Sequence, residues 1–220
     1  MILQGQVGPI PNPALQDGLQ PNILLGRSGE VIVAELHGKY YTQTSRGNVF
    51  IGSTATAGVT LPVVSNTVQT FGLWNPLGSG KNAVLIKSQI GWVSGPGAPG
   101  NFVYGFQLNV GSQIGTGAAI TGYTTTAPVN GLLGSGLATV MKFGAVAAAF
   151  TLTTAPTLLR TMGVSQLTTT AATTTAPWWM AFEDFDGTLI IPPGVIFTIA
   201  GNVAPTTVAD VALTWAEVPV

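Results

Sequence analysis

Residues 102–110, with the sequence FVYGFQLNV, decide the fold class of this chain. Every second position in this stretch is apolar, namely Phe102, Tyr104, Phe106, Leu108 and Val110. The positions between them are smaller or more polar. Since successive side chains of a β-strand point to opposite faces of the sheet, a period of two residues predicts a strand with one apolar face.

The same two-residue period recurs along the chain from Glu30 onward. The sets that we expect to share a buried face are Val84, Ile86, Ile90 and Trp92; Trp178, Met180 and Phe182; Val195, Phe197 and Ile199; and Val211, Leu213 and Trp215. Turn sequences separate these segments, as at residues 75–80 and 192–194. The best helix candidates, residues 132–143 and 144–150, are interrupted by Gly or rich in Ala. Many short strands with few helices predict an all-β fold over residues 30–220, an antiparallel β-sandwich or jelly roll.

Residues 1–29 differ from the rest of the chain and predict an extended N-terminal arm. Pro9, Pro11, Pro13 and Pro21 each fix the φ angle and remove a backbone donor. A disordered tail is poor in apolar residues, whereas this segment holds Ile10, Leu15, Leu19, Ile23 and Leu24. We predict that these five side chains dock on a neighbouring subunit, with a flexible terminus as the alternative.

Charge is scarce in this chain, because seven basic and eight acidic residues among 220 give a net charge of −1. About a quarter of the residues of an ordinary soluble domain are charged. Few ions must lose their water when such a surface is covered, so the composition favours packing against neighbouring subunits. The scattered basic residues do not form the clustered patch that nucleic-acid binding takes. No run of about 20 apolar residues is present, so no membrane-spanning helix is expected.

The motifs that suggest chemistry are incomplete. Residues 78–82 (GSGKN) resemble a phosphate-binding loop, but the first Gly of that motif and the hydroxyl residue after the Lys are missing. His37 is the only histidine, and no Gly-x-Ser-x-Gly sequence supplies a nucleophile. Cysteine is absent, so the chain holds no thiolate metal site. We therefore predict a turn at residues 78–82, no enzymatic activity and no cofactor.

Two further groups of side chains leave alternatives open. Glu183, Asp184 and Asp186 are the densest acidic cluster and are candidate calcium ligands or paired catalytic carboxylates. The simpler interpretation is a solvated hairpin turn at Asp186 and Gly187. Trp178 and Trp179 are adjacent, so in a strand one of them faces outward. We predict Trp179 as an interface anchor, with a sugar-stacking platform as the alternative.

Three stretches together give the chain a resemblance to a known class. They are residues 48–53 (NVFIGS) with 58–62 (GVTLP), residues 71–76 (FGLWNP) with 78–82, and residues 189–194 (LIIPPG) with 212–219 (ALTWAEVP). In these stretches and in its charge-poor, Thr/Gly/Ala-rich composition, the chain resembles small virion structural proteins of tailed bacteriophages that decorate a capsid or form head fibres. The resemblance covers residues 48–220. It implies a jelly-roll-like domain that assembles on a particle, and it carries over no catalytic residues.

The predicted function is a non-enzymatic virion protein that decorates or cements the capsid surface by binding the major capsid protein. A homo-oligomer is expected, and specifically a trimer by analogy with decoration proteins on threefold positions. Two alternatives stay open, namely a receptor- or carbohydrate-binding module of a fibre or tail, and a jelly-roll coat protein that builds the shell itself. Neither nucleic acid nor a membrane is an expected partner.

Overall fold

The computed structural model describes residues 5–6, 23–24, 38–94, 100–108, 127–166, 180–203 and 208–220. The chain divides into two units, residues 1–42 and 43–220. In the first unit, β1 (Gly5–Gln6) pairs in parallel with β2 (Ile23–Leu24). Most of the predicted arm, residues 1–29, lies outside the described residues. A short helix, α1 (Tyr41–Ser45), precedes the remaining strands.

The second unit is built from strands. In chain order they are β3 (Val49–Ser53), β4 (Val59–Thr60), β5 (Val68–Asn75), β6 (Lys81–Ser94), β7 (Gly100–Gln107), β8 (Val129–Asn130), β9 (Lys142–Thr151), β10 (Thr157–Gln166), β11 (Met180–Ile191), β12 (Val195–Gly201) and β13 (Val208–Pro219). A five-stranded sheet has the order β10-β7-β12-β5-β9, and a six-stranded sheet has the order β11-β6-β13-β3-β8, with β4 also paired to β13. All strand pairs in these two sheets are antiparallel. The predicted all-β antiparallel sandwich is therefore confirmed.

Eight of these strands follow the connectivity of a jelly roll. The nested pairs are β3 with β13, β5 with β12, β6 with β11, and β7 with β10. The first four strands and the last four thus form the two arms of one long antiparallel hairpin, which is rolled so that β13 also pairs with β6 and β12 with β7. Strands β8 and β9 extend the two sheets beyond this framework.

The core lies between the two sheets and is rich in aromatic rings. Val211, Leu213 and Trp215 are all buried on one face of β13, as the alternation predicts. The ring of Trp215 stacks against Phe50, with centroids 6.3 Å apart, and against Phe143 from the opposite sheet, with centroids 6.2 Å apart. A second group consists of Tyr104, Phe185 and Phe197, whose centroids lie 5.2–6.2 Å apart. These contacts join the sheets at two points along their length.

Two bulges set which side chains face the core, and the sequence period does not reveal them. Thr214 and Trp215 are consecutive in β13 but lie opposite Lys87 and Leu85, so Ile86 is an extra residue in β6. The inward face therefore changes from Leu85 to Ser88 and Ile90, both fully buried. The expectation that Val84, Ile86, Ile90 and Trp92 share one face is wrong because an inserted residue shifts the alternation by one position.

The second bulge lies in β11, at the acidic cluster. Residues 185–188 fall between the paired positions Asp184 and Leu189, so the chain bulges there within one strand. Asp186 has φ 50° and Gly187 has φ 82°, the left-handed backbone that Asp and Gly tolerate best. The expected hairpin turn is thus a bulge. Phe182 was expected to be buried but is 57% exposed, because the inward face of β11 is set by Ala181 and Phe185.

Local turns agree with the sequence, but the two candidate helices do not form. Residues 76–80 form the turn between β5 and β6, with Ser79 N donating to Pro76 O at 3.2 Å. Val195 N donates to Pro192 O at 3.3 Å in the turn between β11 and β12.

The two segments that were expected to be helical have other structures. Residues 131–141 are irregular, and residues 142–151 form β9, which pairs with β5. Pairing of β9 with β5 overrides the helical preference of this Ala-rich segment.

We predict that Gly52→Ala destabilises the sandwich by about 1–3 kcal/mol, the usual cost of overpacking a core. A Cβ at Gly52 would lie 2.8 Å from Cδ2 of the Phe143 ring, which is fully buried. Gly91→Ala is the matched control, since a Cβ there meets nothing within 4 Å. Urea unfolding of both variants measures the difference, and equal midpoints would contradict the proposed packing of Phe143 on Gly52.

Candidate interaction surface

One end of the sandwich exposes a set of large apolar side chains, which we call the apolar end. Its members are Leu77 in the turn between β5 and β6; Leu132, Leu133 and Leu137 in the segment after β8; and Val218 and Val220 at the close of β13. Leu133 is 78% exposed and Val220 is 80% exposed. Val220 N donates to Gly80 O at 3.1 Å, which places the close of β13 beside the turn that carries Leu77. Glu217 accepts from Val140 N, which brings the segment after β8 to the same strand.

The segment that carries the three leucines is held at its first end by Asn130. This buried side chain donates from Nδ2 to Gly47 O at 2.7 Å and accepts from Leu132 N through Oδ1 at 2.8 Å. Gly131 N also donates to Val49 O at 2.8 Å. The side chain of Asn130 and the backbone of Gly131 therefore tie the start of the leucine segment to Gly47 and to Val49 in β3.

The other end of the segment is held by Glu217, which is 1% exposed. Its Oε2 accepts from Lys81 Nζ at 2.9 Å. Its Oε1 accepts from Val140 N at 3.0 Å and from the Thr139 hydroxyl. The buried carboxylate thus connects β13, β6 and the segment that leads to β9. A buried charge needs partners of this kind to replace its lost water.

Fixing both ends of this segment leaves its leucines exposed on a defined backbone. Exposed large apolar side chains are normally scattered singly, and a group of them indicates an interaction surface. Each leucine that is covered contributes about 1.5–3 kcal/mol from apolar burial. A fixed backbone also lowers the entropy lost on binding. The exposed charged residues beside this end in the described part of the chain, Arg46 and Lys142, are both basic.

The predicted acidic site residues are not brought together. Glu183 is on the inward face of β11, where its carboxylate forms an ion pair with Arg160 from β10. Asp184 points outward, and its Oδ1 lies 3.5 Å from Lys87 Nζ. Asp186 is exposed in the bulge. Among the described residues, no three His, Asp or Glu side chains are grouped so that they could hold a metal ion.

The ion pair of Arg160 belongs to a polar network between the sheets. The Tyr104 hydroxyl is hydrogen-bonded to Ser88 Oγ and lies within hydrogen-bonding range of Glu183. The Arg160 guanidinium lies 5.2 Å from the centroid of the Phe185 ring. Burial raises the pKa of Tyr104 far above its ordinary value. The phenol therefore keeps its proton and acts as a hydrogen-bond donor that joins the two sheets.

Most of the predicted interface residues lie outside the described part of the chain. These are Ile10, Leu15 and Leu19 in the arm and Trp179 in the body, and His37 lies outside it as well. The structure describes the backbone of Ile23 and Leu24, which form β2. In the described ranges, no helix has the length and hydropathy that crossing a membrane takes.

Sequence reasoning missed both Glu217 and the three leucines. Glu217 lies two residues after Trp215, so extending the alternation of β13 by one step places it on the inward face. The leucines were considered only as part of a helix, and their exposure depends on the hydrogen bonds of Asn130 and Glu217.

Comparison of the chain with protein families, with curated proteins and with solved structures finds no match.

We expect Glu217→Gln to destabilise the fold by about 1.5–3 kcal/mol, the range for hydrogen bonds to a charged group. The amide preserves the shape but loses the ion pair with Lys81. Asp184→Asn is the control, because its exposed pair with Lys87 contributes less than about 1 kcal/mol. Urea unfolding at neutral pH compares the two, and a smaller effect of Glu217→Gln would contradict the role of the buried carboxylate.

Proposed function

We propose that this protein is a non-enzymatic structural subunit of a tailed-bacteriophage virion, which decorates or cements the capsid surface by binding the major capsid protein. The observation that carries the proposal is the apolar end, where Leu132, Leu133 and Leu137 are exposed on a backbone held by Asn130 and Glu217. The resemblance to small phage virion proteins is the reason for proposing a phage capsid as the particle that is bound.

The physical properties of the chain support an adhesive role. A surface with few charges loses little hydration energy when another protein covers it. Exposed leucines supply apolar area, and the basic residues Arg46 and Lys142 beside them favour a partner surface with an acidic rim. A homo-oligomer, for which we propose a trimer, would repeat the apolar end and bind a symmetric shell with avidity.

Leu133→Asp is expected to reduce binding to the shell at least tenfold while the protein stays folded. The substitution places a charge where an apolar side chain would be covered. Val203→Asp is the matched control. Val203 is also exposed, at 44%, but it follows the far end of β12, whose first residue, Val195, pairs with Asn75 beside the apolar end. Cosedimentation with shells that lack the protein measures binding. Equal retention of both variants would contradict the proposed role of the apolar end.

Removal of residues 1–25 tests the arm separately. We expect the shortened protein to keep the thermal unfolding transition of the sandwich, since residues 43–220 form their own unit, and to lose occupancy on the particle. Cryo-electron microscopy of the native particle locates the protein and measures that occupancy. Full occupancy of the shortened chain would refute docking by the arm, and absence of the protein from virions would refute the proposed function.

A further inference from the structure

A groove lies on the outer side of the six-stranded sheet, where β3 and β4 separate. Strand β3 ends at Ser53, the chain turns with Gly58 N donating to Ala55 O at 2.8 Å, and β4 rejoins β13 at Ala209. Beside Asp210 this separation leaves a groove of about 330 Å³. That volume is at the lower end of the range for small-molecule sites, about 300–1,000 Å³.

Small residues form the floor of the groove. Gly91 in β6 lies opposite Asp210 in β13, and a Cβ at Gly91 would meet nothing within 4 Å. Ala212 lies two residues further along β13 and adds only a methyl group. A ligand can therefore approach the sheet closely at this point, and larger side chains surround it.

The polar side chains around the groove supply several kinds of hydrogen-bonding group. They are the carboxylate of Asp210, the amide of Gln89 and the hydroxyls of Ser53, Thr54 and Thr56. Thr54 Oγ1 donates to Asp210 Oδ1 at 3.3 Å and itself accepts from Val211 N at 3.1 Å. The carboxylate is thus oriented before a ligand binds, which lowers the cost of binding.

An aromatic ring stands beside the groove. Phe182 in β11 is the cross-strand partner of Gln89, and its side chain is 57% exposed. Exposed rings of this kind pack against the apolar C–H faces of a sugar, while neighbouring polar groups bind its hydroxyls. Lys87 Nζ lies 5.6 Å from the centroid of this ring and is paired with Asp184. Among the described residues that line the groove itself, the only charged side chain is the carboxylate of Asp210, which disfavours an anionic ligand.

We propose that this groove binds a neutral saccharide. Asp210 accepts hydrogen bonds from sugar hydroxyls, the Gln89 amide both donates and accepts, and Phe182 packs against the ring. A neutral sugar can use the hydroxyl, amide and aromatic groups together with the carboxylate. The site is separate from the surface on which the proposed function rests, because Glu217 lies seven positions after Asp210 in β13, or about 23 Å along the strand.

The test uses the full-length protein with an array of neutral oligosaccharides, followed by saturation-transfer NMR with each sugar that binds. We expect Asp210→Asn and Gln89→Ala each to lower affinity at least tenfold, since each removes hydrogen bonds to the sugar. Gly91→Leu, which fills the floor, is expected to abolish binding. Asp186→Asn, in the bulge of β11 and outside the groove lining, is the matched control and is expected to bind as the wild type does.

Leu133→Asp separates this site from the proposed function, because it is expected to lose the shell and keep the sugar. Circular dichroism of each variant checks that it is folded; if Gly91→Leu does not fold, Asp210→Asn and Gln89→Ala decide the result. Absence of binding by the wild type, undiminished binding by both of those variants, or a preference for the amine spermine over every neutral sugar would overturn the proposal.

Discussion

The carboxylate of Glu217 is the group on which the exposed end of this sandwich depends. It is buried, and it joins β13 to Lys81 at the start of β6 and to Thr139 and Val140 ahead of β9. Each of these partners replaces water that the carboxylate loses on burial. The same contacts hold one end of the leucine segment, and Asn130 holds the other.

Several of the few charged residues in this chain form ion pairs between strands. Lys81 pairs with Glu217, Lys87 with Asp184, and Arg160 with Glu183, and each pair joins residues on two different strands. Arg160 and Glu183 also connect the two sheets. Charges that hold strands together contribute little to repulsion between molecules. The rest of the described surface carries few charged side chains.

The jelly-roll fold is compatible both with adhesion to other proteins and with ligand binding. Jelly rolls occur both in viral capsid proteins and in lectins, and function resides in the particular surfaces that a fold carries. Here the leucine segment lies at one end of β13, and the groove of Asp210 lies towards the other. Because the two surfaces are separate, binding through the leucine segment, as proposed, would leave the groove accessible.

The sequence by itself determined the all-β class, the apolar inward face of β13, and the turns at residues 76–80 and 192–194. These features are local, since a period of two residues and the φ preferences of Gly and Pro act within a few positions. The tertiary structure decided that Ile86 is a bulge residue, that Phe182 faces outward and that Glu217 meets Lys81, a residue 136 positions away. Such features depend on which strand lies alongside, and strands that pair in a jelly roll are distant in sequence.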